Sequence, residues 1–393
     1  VVTATWMLRV LVGFLISLCT TSLYALERYD INELCHVNVS EVSKVKTPSI
    51  EHIPAQGWIK KTLPDNWQVS TWKDYNGAAW YKIQWSLQCK ENARLAEPIA
   101  LSIDYINSAG AAYLNNDLLW SDRNLEEPLS KSWNVPRYWI LPISSLKPDQ
   151  NEVLVYVNGY GFQKAGLGKI EFNNLMVNND KHLGKVWDRR TLFQINMILS
   201  GTIGLICFII WLFKRSETTF AWMAVATLFW ILFISNILTT ENFPFPSSIW
   251  TSKVNGIFFI AYIQCFCIYL LRFLNKKHIK TERVFWAILV LFSLVLTMSS
   301  IEIIAETLAL SFIFYILLLI AMIGYVCVQA LKKRDGEIIF LAMCLLSILF
   351  FVGLDIYRYS KVAAEEFSPL APYTSPIITI FIVLILGLRL NKM

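Results

Sequence analysis

The stretch "GAAWYKIQWSL", Gly77 to Leu87, alternates along its length. In an extended chain Tyr81, Ile83 and Trp85 share one face, and Trp80, Lys82 and Gln84 share the other. Period two in aromatic and β-branched residues predicts a strand with a buried face. The stretch closes Gly57–Leu87, which carries five tryptophans in 31 residues. Its Lys, Asp, Gln and Asn residues exclude a membrane span there.

Working outward, "IALSIDYI" (Ile99–Ile106) and "EVLVYVNGY" (Glu152–Tyr160) repeat the pattern. "GAAYLNNDLLW" (Gly110–Trp120) reads as strand, turn, strand around Asn115–Asn116. Gly, Pro, Asn and Asp separate these runs, and no long amphipathic helix is expected between residues 26 and 192. Layered sheets bury such alternating faces, so 26–192 is expected to be an all-β sandwich.

The rest of the chain is different. Of its 393 residues 55% are hydrophobic and 16% charged, against about 25% charged in a soluble protein. The excess lies beyond residue 193, where seven apolar runs are expected to span a bilayer: 193–213, 218–238, 254–274, 284–301, 303–330, 337–357 and 372–390. Alternate loops carry twelve basic residues: Lys214, Arg215, Arg272, Lys276, Lys277, Lys280, Arg283, Lys332, Lys333, Arg334, Arg389 and Lys392. The other loops hold two or three, Arg358 and Lys361 among them. The basic side is therefore expected in the cytoplasm and residues 26–192 outside. "MLRVLVGFLISLCTTSLYA" (Met7–Ala25) points the same way, since residues 1–25 read as a signal peptide or an uncleaved anchor. The net charge of +6 sits in short loops between apolar runs, which argues against nucleic-acid binding.

Eight cysteines are present. In an exported domain Cys35 and Cys89 could pair as a disulfide, and two reduced cysteines are the equal alternative. Cys265 and Cys267 have no histidine nearby, so neither a metal nor a cofactor is expected.

The order "LPDNW" (Leu63–Trp67), "GAAWYKIQW", "SAGAAYLNNDLLW" and "NEVLVYVNGY" resembles the jelly-roll, galactose-binding-like sugar-binding domain of family 2 glycoside hydrolases. Lys82 stands where that family has Arg, Asn116 where it has the turn Gly, and Gln150 where it has Gly. With seven spans added, the chain resembles bacterial 7TM receptors with diverse intracellular signalling modules, in the sensor histidine kinase branch. "SWNVPRYW" (Ser132–Trp139), "GLGKIEF" (Gly166–Phe172), "FKRSETTFAWMAVATLFWIL" (Phe213–Leu232) and "GLDIYRY" (Gly353–Tyr359) carry this second likeness. The resemblance implies an all-β jelly-roll domain outside the bacterial inner membrane, followed by an all-α seven-helix domain (193–390). Residues 391–393 would begin a cytoplasmic linker. It also implies a kinase or diguanylate-cyclase output unit, in cis or in trans, and a homodimer. These residues hold no phosphoacceptor histidine helix, ATP-binding domain or cyclase motif, so whether the protein is an enzyme is left open.

Trp133, Asn134, Arg137 and Tyr138 are candidate ligand contacts, because aromatic rings stack on sugars and Arg grips carboxylate or phosphate. The ligand class stays open: a carbohydrate or another small molecule. Packing is the alternative for these residues. Asp104 and Asp117 make a poor glycosidase pair. Glu302, Glu306, Asp355 and Arg358 fall near the outer membrane face and are candidates for coupling, with a boundary role as the alternative. The rival functions are a transporter and an envelope-assembly protein with an exterior binding module.

Overall fold

The computed structural model describes residues 35–70, 72, 75–89 and 98–361. The N-terminal segment 1–25, the seventh expected span and the linker start lie outside the described residues.

A six-stranded antiparallel sheet forms the centre of the N-terminal domain. Its order is β2 (Ile59–Lys60), β1 (Cys35–Thr47), β4 (Asn76–Cys89), β10 (Asn151–Tyr160), β7 (Ala109–Leu114) and β8 (Asp117–Ser121). Two three-stranded sheets complete the sandwich: β3 (Asp65–Asn66), β11 (Gly166–Leu167) and β6 (Ile106–Asn107), then β12 (Ile170–Asn174), β5 (Ile99–Ile103) and β9 (Arg137–Ile140). The β7–β8 hairpin turns on Asn115 and Asn116, at φ 48° and 80°. Asn tolerates that left-handed region, so no glycine is needed.

The alternation of β4 divides its side chains as its sequence requires. Ala79, Tyr81, Ile83 and Trp85 enter a core with Leu101, Ile103, Val153 and Val155. Ala78 and Trp80 point the other way and pack with Val45, Ala111, Leu154 and Tyr156. That second face is also dry, because Ile50, Trp58 and Leu125 fold over it and the Trp80 indole donates to His52 O at 3.1 Å. Two buried faces on one sheet account for the density of tryptophan. Cys35 and Cys89 face each other across the β1–β4 ladder and are joined by a disulfide.

Six helices follow that are long and apolar enough to cross a membrane: α1 (Leu175–Phe213), α2 (Thr218–Leu238), α3 (Ser248–Phe273), α4 (Ile279–Met298), α5 (Ile304–Lys333) and α6 (Gly336–Lys361). The described residues thus hold a β domain and six apolar helices. The first helix departs from expectation. It begins directly after β12, with Asn174 Oδ1 accepting from Val177 N at 2.9 Å, and runs for 39 residues. Residues 175–192 are therefore helical, where only β structure was expected. Glu171 of β12 and Asp104, just after β5, hold this first half. Lys181 pairs with Glu171 at 3.0 Å, Lys185 pairs with Asp104, and Arg189 donates to Asp104 O at 2.7 Å. α3 is the most enclosed helix, with Ile260 through Leu271 almost all buried against its neighbours.

Candidate coupling interface between the sheets and the helices

The loop after β8, residues 122–136, descends onto the turn between α2 and α3. That turn is "TTENFPFPS", Thr239–Ser247. Ser247 caps α3, accepting from Trp250 N at 3.3 Å. Ser248 opens the helix, and its backbone N–H and hydroxyl both donate to Glu127 Oε2, at 3.0 and 3.1 Å. A carboxylate at a helix N-terminus meets unpaired N–H groups and the positive end of the dipole. The other Glu127 oxygen accepts from the Tyr160 hydroxyl at 2.6 Å, so β10 fixes the same carboxylate.

Further bonds surround this one. Asn242, 2% exposed, donates to Leu129 O and to Ser248 Oγ. Glu241 accepts from Asn124 Nδ2 at 2.8 Å and from Ser130 Oγ at 3.0 Å. Lys131 donates to Asn236 Oδ1 at 2.6 Å and Thr239 Oγ1 at 3.2 Å, and its backbone N–H donates to Thr240 O at 2.7 Å. Burial lowers the Lys131 ammonium to about 8, with Glu241 opposing the shift. On the next loop, Gln163 donates to Ser252 Oγ at 2.9 Å, one turn along α3.

One residue further, Lys253 is 7% exposed and donates to Thr297 O at 3.0 Å and Ser299 O at 2.7 Å, at the C-terminal end of α4. A cation there complements the α4 dipole. The first two turns of α3 therefore touch the β domain on one side and the end of α4 on the other.

The candidate ligand residues border this interface. Asn134 is 5% exposed and its amide donates to Arg189 O on α1 and to Ile237 O, at 3.5 Å, on α2. Arg137 pairs with Asp122 at 3.3 Å and lies 3.5 Å above the Trp120 ring. Asp122 also accepts from Ser132 Oγ at 2.5 Å and Gly110 N at 2.9 Å. Burial raises the Asp122 carboxyl and lowers the Arg137 guanidinium, each against the partner's charge. Desolvation therefore outweighs attraction, and the pair orients the loop more than it stabilises it. The Tyr138 ring packs at a tilt against His182 of α1, centroids 4.7 Å apart, and its hydroxyl donates to Asn179 Oδ1 at 3.4 Å. Trp133 keeps an exposed ring. Trp133 and its neighbours are thus together, and three of the four are engaged with other parts of the chain.

The candidate coupling residues are more scattered. Glu302 and Glu306 are exposed at the start of α5, and Asp355 is buried on α6. Arg358 lies on α6, with its side chain outside the described residues. Among the described residues no group of His, Cys, Asp and Glu could hold a metal ion. Glu127, Lys131, Glu241, Asn242, Ser248 and Lys253 were not singled out from sequence. The available signal was Glu241 in a proline-rich turn without Lys or Arg, a charge lacking any local counter-charge.

No family model matches the chain, and no curated protein matches it. Solved structures of bacterial enzymes are similar to part of it. A Faecalibacterium prausnitzii β-glucuronidase is 13% identical with TM-score 0.26, over 34% of this chain and 22% of its own. A Ruminococcus gnavus β-glucuronidase is 19% identical with TM-score 0.25, over 33% and 22%. The Bifidobacterium dentium β-glucuronidase is 16% identical with TM-score 0.26, over 33% and 21%. The chain spans about a fifth of the length of these enzymes. The six apolar helices among the described residues make it a multi-pass membrane protein, with a β domain hydrogen-bonded onto one end of the bundle.

Proposed function

We propose that the chain is a transmembrane signal receptor. The β domain meets a ligand outside the cytoplasm, and the helices relay the change to an output module, a histidine kinase or diguanylate cyclase in cis or trans. The observation that carries this is the hydrogen-bonded seat of the 122–136 loop on the α2–α3 turn. A domain tethered by a flexible linker could bind ligand without moving the helices, whereas this one shares buried polar bonds with them. Relay requires that ligand contacts differ between two packings of that seat. In this reading Trp133 supplies an exposed ring to the ligand. Asn134 and Tyr138 tie it to α1 and α2, Arg137 holds the loop through Asp122, and Glu302, Glu306, Asp355 and Arg358 belong to the relay further round the bundle.

The orientation is part of the proposal. The basic turns lie at the bundle end opposite the β domain, which favours that end in the cytoplasm. The Cys35–Cys89 disulfide favours an oxidising compartment for the β domain, the periplasm if the membrane is a bacterial inner membrane. To test it, the full chain in nanodiscs is melted against neutral and acidic mono- and oligosaccharides. The receptor reading expects a stabilising saccharide whose effect is lost in Trp133→Ala, with no uptake of that solute into proteoliposomes. Uptake would make the protein a transporter instead.

A further inference from the structure

Beneath the interface the bundle encloses polar groups that the receptor reading does not use. Gln264 on α3 is 0% exposed, and neither its amide nitrogen nor its amide oxygen has a hydrogen-bond partner. The Tyr315 hydroxyl on α5 is in the same condition, on a side chain that is also 0% exposed. An amide or hydroxyl left unpaired away from water costs on the order of several kcal/mol, and lipid supplies no partner.

Helical register brings the two groups to one place. Gln264 follows Lys253 by about three turns and so projects from the same face of α3. That is the face from which Lys253 reaches the end of α4. Tyr315 lies against α4 as well, its ring centroid 5.7 Å from that of Phe292. α3 and α5 run side by side: a Cβ on Gly256 would lie 2.6 Å from Leu308, and Phe259 meets Phe312 at 4.8 Å. Continuing that parallel register puts Tyr315 within about one turn of Gln264, at the junction of α3, α4 and α5.

We propose that this junction is an internal hydration site, with ordered water bridging the Gln264 carboxamide and the Tyr315 hydroxyl. The chemistry selects water over other ligands. Both groups are neutral and each can donate and accept, so neither an ion nor an apolar molecule would satisfy them. Leu296 is buried in the same apolar core as Tyr315, and Phe292 packs against that core, so the surrounding side chains offer the two groups no polar partner. A buried water makes about three hydrogen bonds, and the amide with the hydroxyl supplies most of them. The site is independent of the receptor proposal and would be present in a transporter equally.

X-ray hydroxyl-radical footprinting reads bound water directly, because radicals formed from it label the side chain beside it. In the full chain in nanodiscs, Tyr315 is expected to be labelled severalfold more than its half-buried neighbours Phe292 and Phe312, although it is the more enclosed. Gln264→Leu is expected to remove most of that excess, and the near-isosteric Gln264→Met carries the same expectation if the first variant fails to fold. Labelling of Tyr315 at the level of those phenylalanines in the unaltered protein would overturn the proposal. So would an excess that survives both substitutions.

Discussion

The Glu127 carboxylate accepts two hydrogen bonds from Ser248, from its backbone N–H and from its hydroxyl, across the boundary between the sheets and the helices. The residues are 121 apart in sequence, so the contact exists only through the tertiary fold. Glu127→Gln keeps the shape and removes the charge facing the α3 N-terminus. It is expected to cost about 1 kcal/mol, since the carboxylate is partly solvated. Asn242→Ala strands the buried Leu129 carbonyl and is expected to cost about 1–3 kcal/mol. Hydrogen exchange over residues 242–252 should rise in both variants and rise further in Asn242→Ala.

Arg137 and Asp122 form a buried pair, so the order in which they are removed matters. Arg137→Ala leaves the Asp122 charge unpaired and is expected to cost roughly 3–5 kcal/mol. Arg137→Met combined with Asp122→Asn is expected to cost less than the two single changes summed. Arg137→Lys should fall between, because an ammonium cannot lie flat on Trp120. Thermal melting of the unaltered protein, Arg137→Met, Asp122→Asn and the double variant completes the cycle.

The grip on α1 is expected to weaken in acid. Burial alone would raise the Glu171 carboxyl, but hydrogen bonds from Lys169 and Lys181, with the charge of Lys185, outweigh it and hold the group at about 2. A carboxyl depressed on folding stabilises the protein above its unfolded value. That stability is lost as pH falls from about 4.5 towards 2, and amounts to no more than roughly 3 kcal/mol. Glu171→Gln should lower stability at neutral pH and flatten this stretch of the melting-temperature curve.

The disulfide gives a further expectation. Cys35 and Cys89 close a loop across a sequence separation of 54. Reduction, or Cys35→Ser with Cys89→Ser, is expected to cost about 2–4 kcal/mol. An unchanged melting temperature under reductant would show that the bridge carries no stability.

The faces of β4 were legible because a strand has a period of two and both Tyr81/Ile83/Trp85 and Trp80 obey it. The six described helices were legible as apolar runs for the same local reason. The outer half of α1 was not. "LMVNNDKHLGKVWDRRT" (Leu175–Thr191) holds Asn178, Asn179 and Gly184, poor helix formers, and Lys185 and Arg189 secure it through Asp104, far away in sequence. The site divides similarly. Residue type drew attention to Asn134 and Arg137. Their partners Ile237 and Asp122 follow from folding, and nothing near Ser248 in sequence announces Glu127.

The relay itself is tested by a distance between turns at the bundle end opposite the β domain. Five cysteines are free among the described residues, so spin labels are best placed through an encoded ketone at Ser216 and Lys332. In nanodiscs, the label distance should shift when a saccharide that stabilises the β domain is added. The same saccharide should bind the Glu127→Gln, Asn242→Ala double variant with the shift reduced or lost. A saccharide that binds and leaves the distance unchanged in the unaltered protein would contradict the account.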